Sequence, residues 1–161
     1  MAALLSPSPL SLRFEASYLQ PAPTDVAKGI GAGLGASYRL TDQIAVIASA
    51  SENVVWTRAG QPAGAPRVSR SLFTFGGGAL AVLDATPVAP FLEATLVGLA
   101  PQEIAGYSLA GSIAVGADWA FVRAWAVGIA VRSLTPLDSP GGITAASGIA
   151  IATRLVWTPA F

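Results

Sequence analysis

The sequence contains no histidine and no cysteine, and charged residues make up only 11% of its 161 positions. Without cysteine the chain can form neither disulfides nor thiolate metal sites. Without histidine, Ser–His and Cys–His catalysis and histidine-ligated metal centres are excluded. Nine basic residues balance nine acidic ones, and no basic stripe stands out. We therefore expect no metal, no cofactor and no nucleic-acid partner.

Long apolar runs are also missing, although 53% of the residues are hydrophobic and the mean hydropathy is +0.59. A composition this apolar is unusual for a soluble domain and indicates a membrane protein. A membrane-spanning helix needs about 18 apolar residues nearly free of charge. The longest uncharged stretches, 71–83, 104–117 and 139–153, are shorter than this and contain Gly, Ser or Pro. A tilted barrel strand needs only about 9–11 residues, which these stretches supply.

A period of two runs through the chain and is clearest at residues 28–40, where Ile, Ala, Leu and Tyr alternate with Gly, Ser and Arg. Side chains alternate across a strand, so this pattern predicts strands with two different faces. The eight predicted strands are 10–20, 28–40, 44–56, 68–83, 88–99, 107–117, 121–134 and 148–161. A polytopic protein with glycine-rich helical spans is the alternative, and the period of two opposes it.

The predicted fold is all-β: an eight-stranded antiparallel up-and-down transmembrane β-barrel over residues 10–161. Residues 1–9 lack the pattern of a secretory signal, so we expect them to be a flexible mature N-terminus from which an export signal peptide is absent. Short turns are expected around Asp42, Asp84 and Asp118, with longer proline-containing loops at the other end. In residues 68–83 the aromatic and aliphatic residues fall on opposite parities, and 76–78 is predicted to be a bulge that switches the faces.

Several charged residues fall on the parity that faces the barrel interior. Buried charges must be paired or solvated, which predicts an interior salt-bridge network. Its predicted members are Arg13, Glu15, Arg39, Glu93, Arg132 and Arg154. Glu15 and Arg154 lie on the first and last strands, which must be neighbours in a closed barrel, and they are the expected pair.

Aromatic residues gather near the predicted strand ends, as amphipathic rings do at membrane interfaces. Two girdles are predicted, one near the turns and one near the loops. Their members are Tyr18, Tyr38, Trp56, Tyr107, Trp119, Phe121, Trp157 and Phe161.

The segment Gly31-x-Gly33-x-x-Ala36 formally matches a dinucleotide-binding fingerprint. No strand–helix–strand unit follows it, so these glycines are better interpreted as inward positions that leave room in a narrow barrel. A carboxylate pair made of Glu15 and Glu93 is not expected to be catalytic, because the two lie on strands that are not neighbours. The sequence thus favours a protein that is not an enzyme.

The last strand alternates apolar and small residues and ends in an aromatic residue, with Leu155, Trp157 and Phe161 on its apolar face. This resembles the closing strand of bacterial outer-membrane β-barrels, although Pro159 stands where those proteins usually carry another aromatic or apolar residue. From Leu10 to Phe161 the chain is similar to the small barrels of the outer membrane protein A and X type. The resemblance implies integral residence in the bacterial outer membrane, contact with its lipid, and recognition of the closing strand by the barrel-assembly machinery.

The predicted outer wall is rich in small residues, with alanine at positions 32, 36, 48, 50 and 94. Small residues allow close packing against a protein neighbour. We expect a structural or interaction scaffold, or an accessory subunit of an envelope assembly with an envelope protein as partner. A narrow pore or small-solute conduit is the alternative.

Overall fold

The computed structural model describes residues 8–21, 27–57, 68–83, 87–101, 108–137 and 148–159. Eight antiparallel strands follow one another around a closed barrel, and the last strand pairs with the first. They are β1 Leu10–Pro21, β2 Ala27–Arg39, β3 Ile44–Thr57, β4 Val68–Val82, β5 Val88–Pro101, β6 Ser108–Val122, β7 Trp125–Pro136 and β8 Gly148–Trp157. The predicted eight-stranded up-and-down barrel is confirmed, and the helical alternative is wrong. Within the ranges given above, no helix is long and apolar enough to cross a membrane.

The strands are strongly staggered. Successive paired residues lead from Leu10 on β1 around the barrel and back to β1 at Gln20, by way of Tyr38, Val46, Ala79, Ala94, Ile113, Ser133 and Ile149. The path returns from position 10 to position 20, a stagger of ten residues. With about 3.3 Å per residue and 4.8 Å between strands, this stagger tilts the strands by about 40°. An eight-stranded barrel of this kind is narrow, and side chains can fill its interior.

The outer wall is apolar and exposed, as the period of two predicts. On β2, Leu34 is 60% exposed, whereas Gly33 and Gly35 on either side of it face inward. The same alternation continues on β6, where Ile113 is 59% exposed between the buried residues Ser112 and Ala114. A large apolar surface of this extent requires an apolar surrounding rather than water.

The predicted bulge in β4 is wrong. The register of β4 runs without a shift against both β3 and β5 through Gly76, Gly77 and Gly78. Phe73 and Phe75 therefore face outward, while Leu80 faces inward and is buried. The large apolar residues change from one face of β4 to the other for a different reason. The interior is apolar near the turns, so Leu80 and Val82 point inward there.

This apolar end of the interior is a compact cluster near the short turns. Its buried members are Ala45, Ile47, Leu80, Phe91, Ala130 and Ala152, with Val82 packed against them. Because the inner wall carries apolar residues here, a simple rule of apolar side chains outward and polar ones inward fails at this end.

The turn between β6 and β7 lies at Arg123–Ala124 rather than at Asp118. Asp118 belongs to β6 and is paired with Ala89 and Gly128, so its position as a turn centre was wrongly predicted. An irregularity in register between Ala120 and Val122 precedes the turn. The other turns are 40–43, which is built as predicted around Thr41–Gln43, and 83–87, in which Asp84 lies outside the described residues.

Connections at the opposite end comprise residues 22–26, 58–67, 102–107 and 137–147. Three of these connections contain more residues than any turn at the first end, as predicted. The connection 22–26 has the same length as the turn 83–87.

Candidate functional site

Glu93 on β5 is the centre of a charged cluster inside the barrel and is only 1% exposed. Arg13 Nη1 donates to its Oε2 at 2.7 Å, and Arg132 Nη2 donates to its Oε1 at 3.1 Å. Arg154 Nη1 lies 3.9 Å from the same Oε2. These arginines come from β1, β7 and β8, and β5 lies opposite β1 in the barrel, so the contact of Arg13 with Glu93 crosses the interior.

Glu15 on β1 shares two of these arginines. Its Oε1 is 2.9 Å from Arg13 Nε, and its Oε2 is 3.3 Å from Arg132 Nη2. Glu15 and Glu93 are therefore joined through common cations even though their strands are far apart in the barrel. Each carboxylate is in contact with two or more guanidinium groups.

The expected Glu15–Arg154 pair is wrong. The two residues lie directly opposite each other on β1 and β8, but their side chains take different partners. Arg154 instead reaches over β7, where its Nε donates to Asp118 Oδ1 at 2.6 Å and its Nη2 donates to Asp118 Oδ2. This is a bidentate guanidinium–carboxylate contact, the strongest geometry available to these groups.

Asp118 completes the network, although the sequence predicts it to be a turn residue. The available signal was parity, because Asp118 lies an even number of residues from Ser112 and Ala114 on β6, and both of these are buried in the interior. Arg154 also lies over the ring of Phe91, with its Cζ 3.4 Å from the ring centroid. This cation–π contact fixes the guanidinium between the apolar cluster and the carboxylates.

The network is balanced in charge, with three arginines and three carboxylates. We refer to these six residues, Arg13, Glu15, Glu93, Asp118, Arg132 and Arg154, as the interior network. Such balance is required because an unpaired ion in a low-dielectric interior costs several kcal/mol, roughly, even after relaxation. Within the described residues, Arg39 makes none of these ion pairs, so the structure does not bring this predicted member into the network.

Glycines on the inner face of β2 make room for the side chains of the network and its neighbours. A Cβ at Gly35 would lie 3.2 Å from Arg13 Nε, and one at Gly31 would overlap the amide of Asn53. These glycines lie on a barrel strand rather than at a strand–helix junction, so their spacing serves packing and not phosphate binding.

A polar ladder extends from the network toward the loops. Ser51 and Thr74 hydroxyls are 2.6 Å apart, Asn53 Nδ2 donates to Ser51 Oγ at 3.2 Å, and Ser17 Oγ donates to Asn53 Oδ1 at 3.4 Å. The interior thus has an apolar cluster toward the turns, the charged network, and a polar ladder toward the loops that runs beside the buried residues Leu99 and Ala110. In the described part of the chain, no group of three or more acidic side chains is placed to hold a metal ion.

The predicted aromatic residues that the structure describes lie on the outer wall. Tyr38, Trp119 and Phe121 are 51%, 56% and 48% exposed near the turn end, and Tyr18 is 40% exposed near the loop end. Trp56 and Trp157 are partly exposed on the same outer parity as their neighbours. Of the closing-strand residues, Leu155 is 37% exposed on this wall. Tyr107 and Phe161 lie outside the described residues.

One further aromatic residue, Trp125, was not predicted to belong to a girdle. It is 36% exposed at the start of β7, and its ring centroid lies 6.2 Å from that of Trp157. Its position directly after the β6–β7 turn is the signal that could have identified it.

No protein-family model matches the chain, and no curated protein matches it in sequence. Among solved structures, Neisserial surface protein A is similar with a TM-score of 0.66 and 14% identity, covering 92% of this chain and 94% of that one. The N-terminal β-barrel domain of Pseudomonas aeruginosa OprF has a TM-score of 0.57 and 15% identity, covering 91% and 96%. A de novo designed transmembrane β-barrel has a TM-score of 0.53 and 10% identity, covering 91% and 93%.

The two bacterial structures are small eight-stranded outer-membrane barrels. This chain has the same fold, and the resemblance stated from its sequence is confirmed at that level. At sequence identities of 14% and 15%, the similarity to these structures is one of fold alone.

Proposed function

We propose that the chain is an integral barrel of the bacterial outer membrane that acts as a structural or interaction scaffold, or as an accessory subunit of an envelope assembly, and not as an enzyme. The observation that carries this proposal is the interior network, which joins opposite walls of the barrel through Arg13 and Glu93. Because the network closes the barrel across its middle, the surfaces that can contact other molecules are the outer wall and the loops rather than the lumen.

The outer wall supports the membrane location. Large apolar side chains around the whole barrel are 36–63% exposed, which suits lipid and not water. Export by a signal peptide, and insertion by the barrel-assembly machinery through Leu155, Trp157 and Phe161 of the closing strand, belong to the same proposal. Outer-membrane lipid is then the immediate neighbour of every strand.

The chemistry of the interior supports a role without catalysis. The three carboxylates of the network are engaged by arginines, and the sequence has no histidine or cysteine to act as base or nucleophile. Removing one partner of such a buried ion pair is strongly destabilising, because it leaves an uncompensated buried charge.

The test is reconstitution of the whole chain into phosphatidylcholine vesicles, followed by gel electrophoresis of boiled and unboiled samples. We expect a boiling-dependent mobility shift and a β-type circular dichroism spectrum. Purification from envelopes in mild detergent should then retain a stoichiometric protein partner. Failure to insert into vesicles would contradict the membrane location, and a solitary monomer in every mild detergent would contradict the scaffold role.

A narrow pore is the second candidate, and one observation favours it. The polar ladder of Ser17, Asn53, Ser51 and Thr74 lines the loop half of the interior and leads to the interior network. If the network opened, this ladder would provide a wettable path. Planar-bilayer recordings separate the two functions, since a conduit gives discrete currents that change when Glu93 or Arg132 is neutralised.

A further inference from the structure

A hollow in the outer wall lies over Gly111 on β6. Gly111 pairs with Leu96 on β5 and with Thr135 on β7, and all three positions are on the outward parity. Because Gly111 has no side chain, the wall is recessed between its larger neighbours. The hollow has a volume of about 390 Å³, within the range of small-ligand sites, roughly 300–1,000 Å³. Its outward-facing lining residues are Ala94, Gly111, Ile113, Ser133 and Thr135.

The lining is apolar at one end of the hollow and carries two hydroxyl groups at the other. Ala94, Ile113 and Ser133 are paired in turn on β5, β6 and β7, and each step to the next strand rises toward the loops. With about 3.3 Å per residue, 4.8 Å between strands and a tilt of about 40°, Thr135 lies about 11 Å nearer the loops than Ala94. The hollow therefore changes from apolar to polar along the barrel axis.

The hydroxyl end lies at the level of Tyr18, a member of the loop-side girdle. Ser133 pairs with Ile149 on β8, and Ile149 pairs with Gln20 on β1, two residues beyond Tyr18. The same geometry places Ser133 and Thr135 within about 4 Å of the level of Tyr18. Aromatic side chains mark the interface between the apolar and polar parts of a membrane. The hydroxyl end thus lies where the acyl chains of a lipid join its polar part, and the apolar end lies at the depth of those chains.

Both hydroxyl groups are accessible to a ligand. Ser133 and Thr135 are exposed, and within the described residues neither side chain makes a hydrogen bond. Thr153, another exposed hydroxyl residue of the outer wall, instead donates to the carbonyl oxygen of Ala16 at 3.5 Å. A polar group that leaves water without a hydrogen bond is unfavourable, so the two hydroxyl groups of the hollow call for an acceptor.

We propose that the hollow binds a glycerophospholipid of the leaflet at the loop end. One acyl chain lies over Gly111 and reaches toward Ala94, and the ester carbonyl oxygens accept hydrogen bonds from Ser133 and Thr135. This inference rests on the membrane location proposed above and adds a specific lipid site to it.

The polarity of the hollow carries this inference. Its apolar and hydroxyl ends follow one another along the membrane normal in the same order as the chains and esters of a lipid. A membrane-spanning helix of another protein does not offer the same acceptors, because its backbone carbonyl groups are already bonded within the helix.

The experiment is native mass spectrometry of the whole chain, released from detergent micelles that contain one added lipid. The probes are dioleoyl phosphatidylcholine and its diether analogue, which has the same headgroup and chain length but no ester carbonyls. We expect one lipid to stay bound, with an apparent affinity roughly tenfold higher for the diester, as two hydrogen bonds provide.

A variant that fills the hollow assigns the bound lipid to it. Gly111→Leu should abolish the retention of both lipids. The barrel tolerates a side chain there, because a Cβ at Gly111 would meet only Leu137 side-chain atoms, at 3.8–4.0 Å. Ala48→Leu is the matched control, since it enlarges an exposed residue of β3 on the other side of the barrel, and it should leave retention unchanged.

The hydroxyl groups are tested separately from the shape of the hollow. Ser133→Ala combined with Thr135→Val should remove the preference for the diester and leave the affinity for the diether unchanged. Thr153→Val removes an exposed hydroxyl outside the hollow and should keep the tenfold preference.

Three results would overturn the proposal: equal retention of the diester and the diether by the wild-type chain, lipid retention that Gly111→Leu does not change, or a second protein chain bound in place of lipid and lost in Gly111→Leu. The boiling-dependent mobility shift is measured on the same samples. A chain that shows the shift but has no preference for the diester refutes the lipid site and leaves the membrane location intact, whereas absence of the shift refutes that location first.

Discussion

Asp118 and Arg154 lie on strands that are not neighbours, and their side chains meet over Gly128 on the strand between them. The contact is possible because Gly128 has no side chain: a Cβ there would overlap the Asp118 carboxylate and lie 2.7 Å from the Ala117 carbonyl oxygen. A glycine on β7 thus permits a salt bridge between β6 and β8.

The first prediction concerns this glycine. Gly128→Ala should lower the free energy of unfolding by about 1–3 kcal/mol, because the added methyl group displaces the ion pair or strains the backbone. Urea titration of the protein folded in detergent micelles, followed by tryptophan fluorescence, measures the change. Gly111→Ala is the matched control, since its Cβ would meet only Leu137 side-chain atoms at 3.8–4.0 Å. Equal effects of the two variants would contradict this role of Gly128.

The second prediction concerns the centre of the interior network. Glu93→Gln leaves the cluster with three arginines and two carboxylates and should destabilise the barrel by about 3–5 kcal/mol, the range for breaking a buried ion pair. Arg39→Gln is the control, because it also removes one inward charge but lies outside the network, and it should cost less than about 1 kcal/mol. Both are measured as urea midpoints in the same micelles.

A double variant separates electrostatic from packing effects. Combining Glu93→Gln with Arg132→Gln restores the charge balance, so the loss should be smaller than the sum of the two single losses by about 1 kcal/mol or more. Strict additivity would show that Glu93 acts through packing and not through the arginines.

The third prediction concerns the seam between β1 and β8. Ala16 and Thr153 are directly paired there, and the chain has no cysteine of its own. Ala16→Cys with Thr153→Cys should form a disulfide on mild oxidation in folded samples, since directly opposed residues have Cα atoms about 4.5–5.5 Å apart, within the range of roughly 4.4–6.8 Å that a disulfide spans. The mismatched combination of Ala16→Cys with Ile149→Cys should not. Non-reducing electrophoresis distinguishes them, and equal oxidation of both pairs would refute the register of the seam.

Much of the architecture was accessible from the sequence because a period of two is a local property. On β2, Leu34 alternates with the glycines on either side of it, and this alternation correctly predicted the outward and inward faces of the strand. The inward direction of Arg13, Glu93 and Arg154 followed from the same parity.

The partners of those charges were not accessible, because they depend on the shape of the interior. Glu15 and Arg154 are directly opposed on paired strands, which suggested an ion pair between them. Both side chains point into the lumen, where other partners are within reach, and Arg154 contacts Asp118 across Gly128 instead. Asp118 itself was misassigned because aspartate is common in turns. The β4 bulge was predicted because the interior was assumed to be polar throughout, whereas Leu80 joins an apolar cluster at the turn end.

The most direct test of the account is conductance, because a closed interior is its central claim. The full chain folded into planar phosphatidylcholine bilayers should give no discrete single-channel currents at 1 M KCl (about 3 Å screening length), since the contact of Glu93 with Arg13 is buried and poorly screened. Insertion is verified on the same preparation by the boiling-dependent mobility shift. Regular discrete currents from inserted wild-type protein, altered by Glu93→Gln, would contradict the scaffold role and establish the conduit instead.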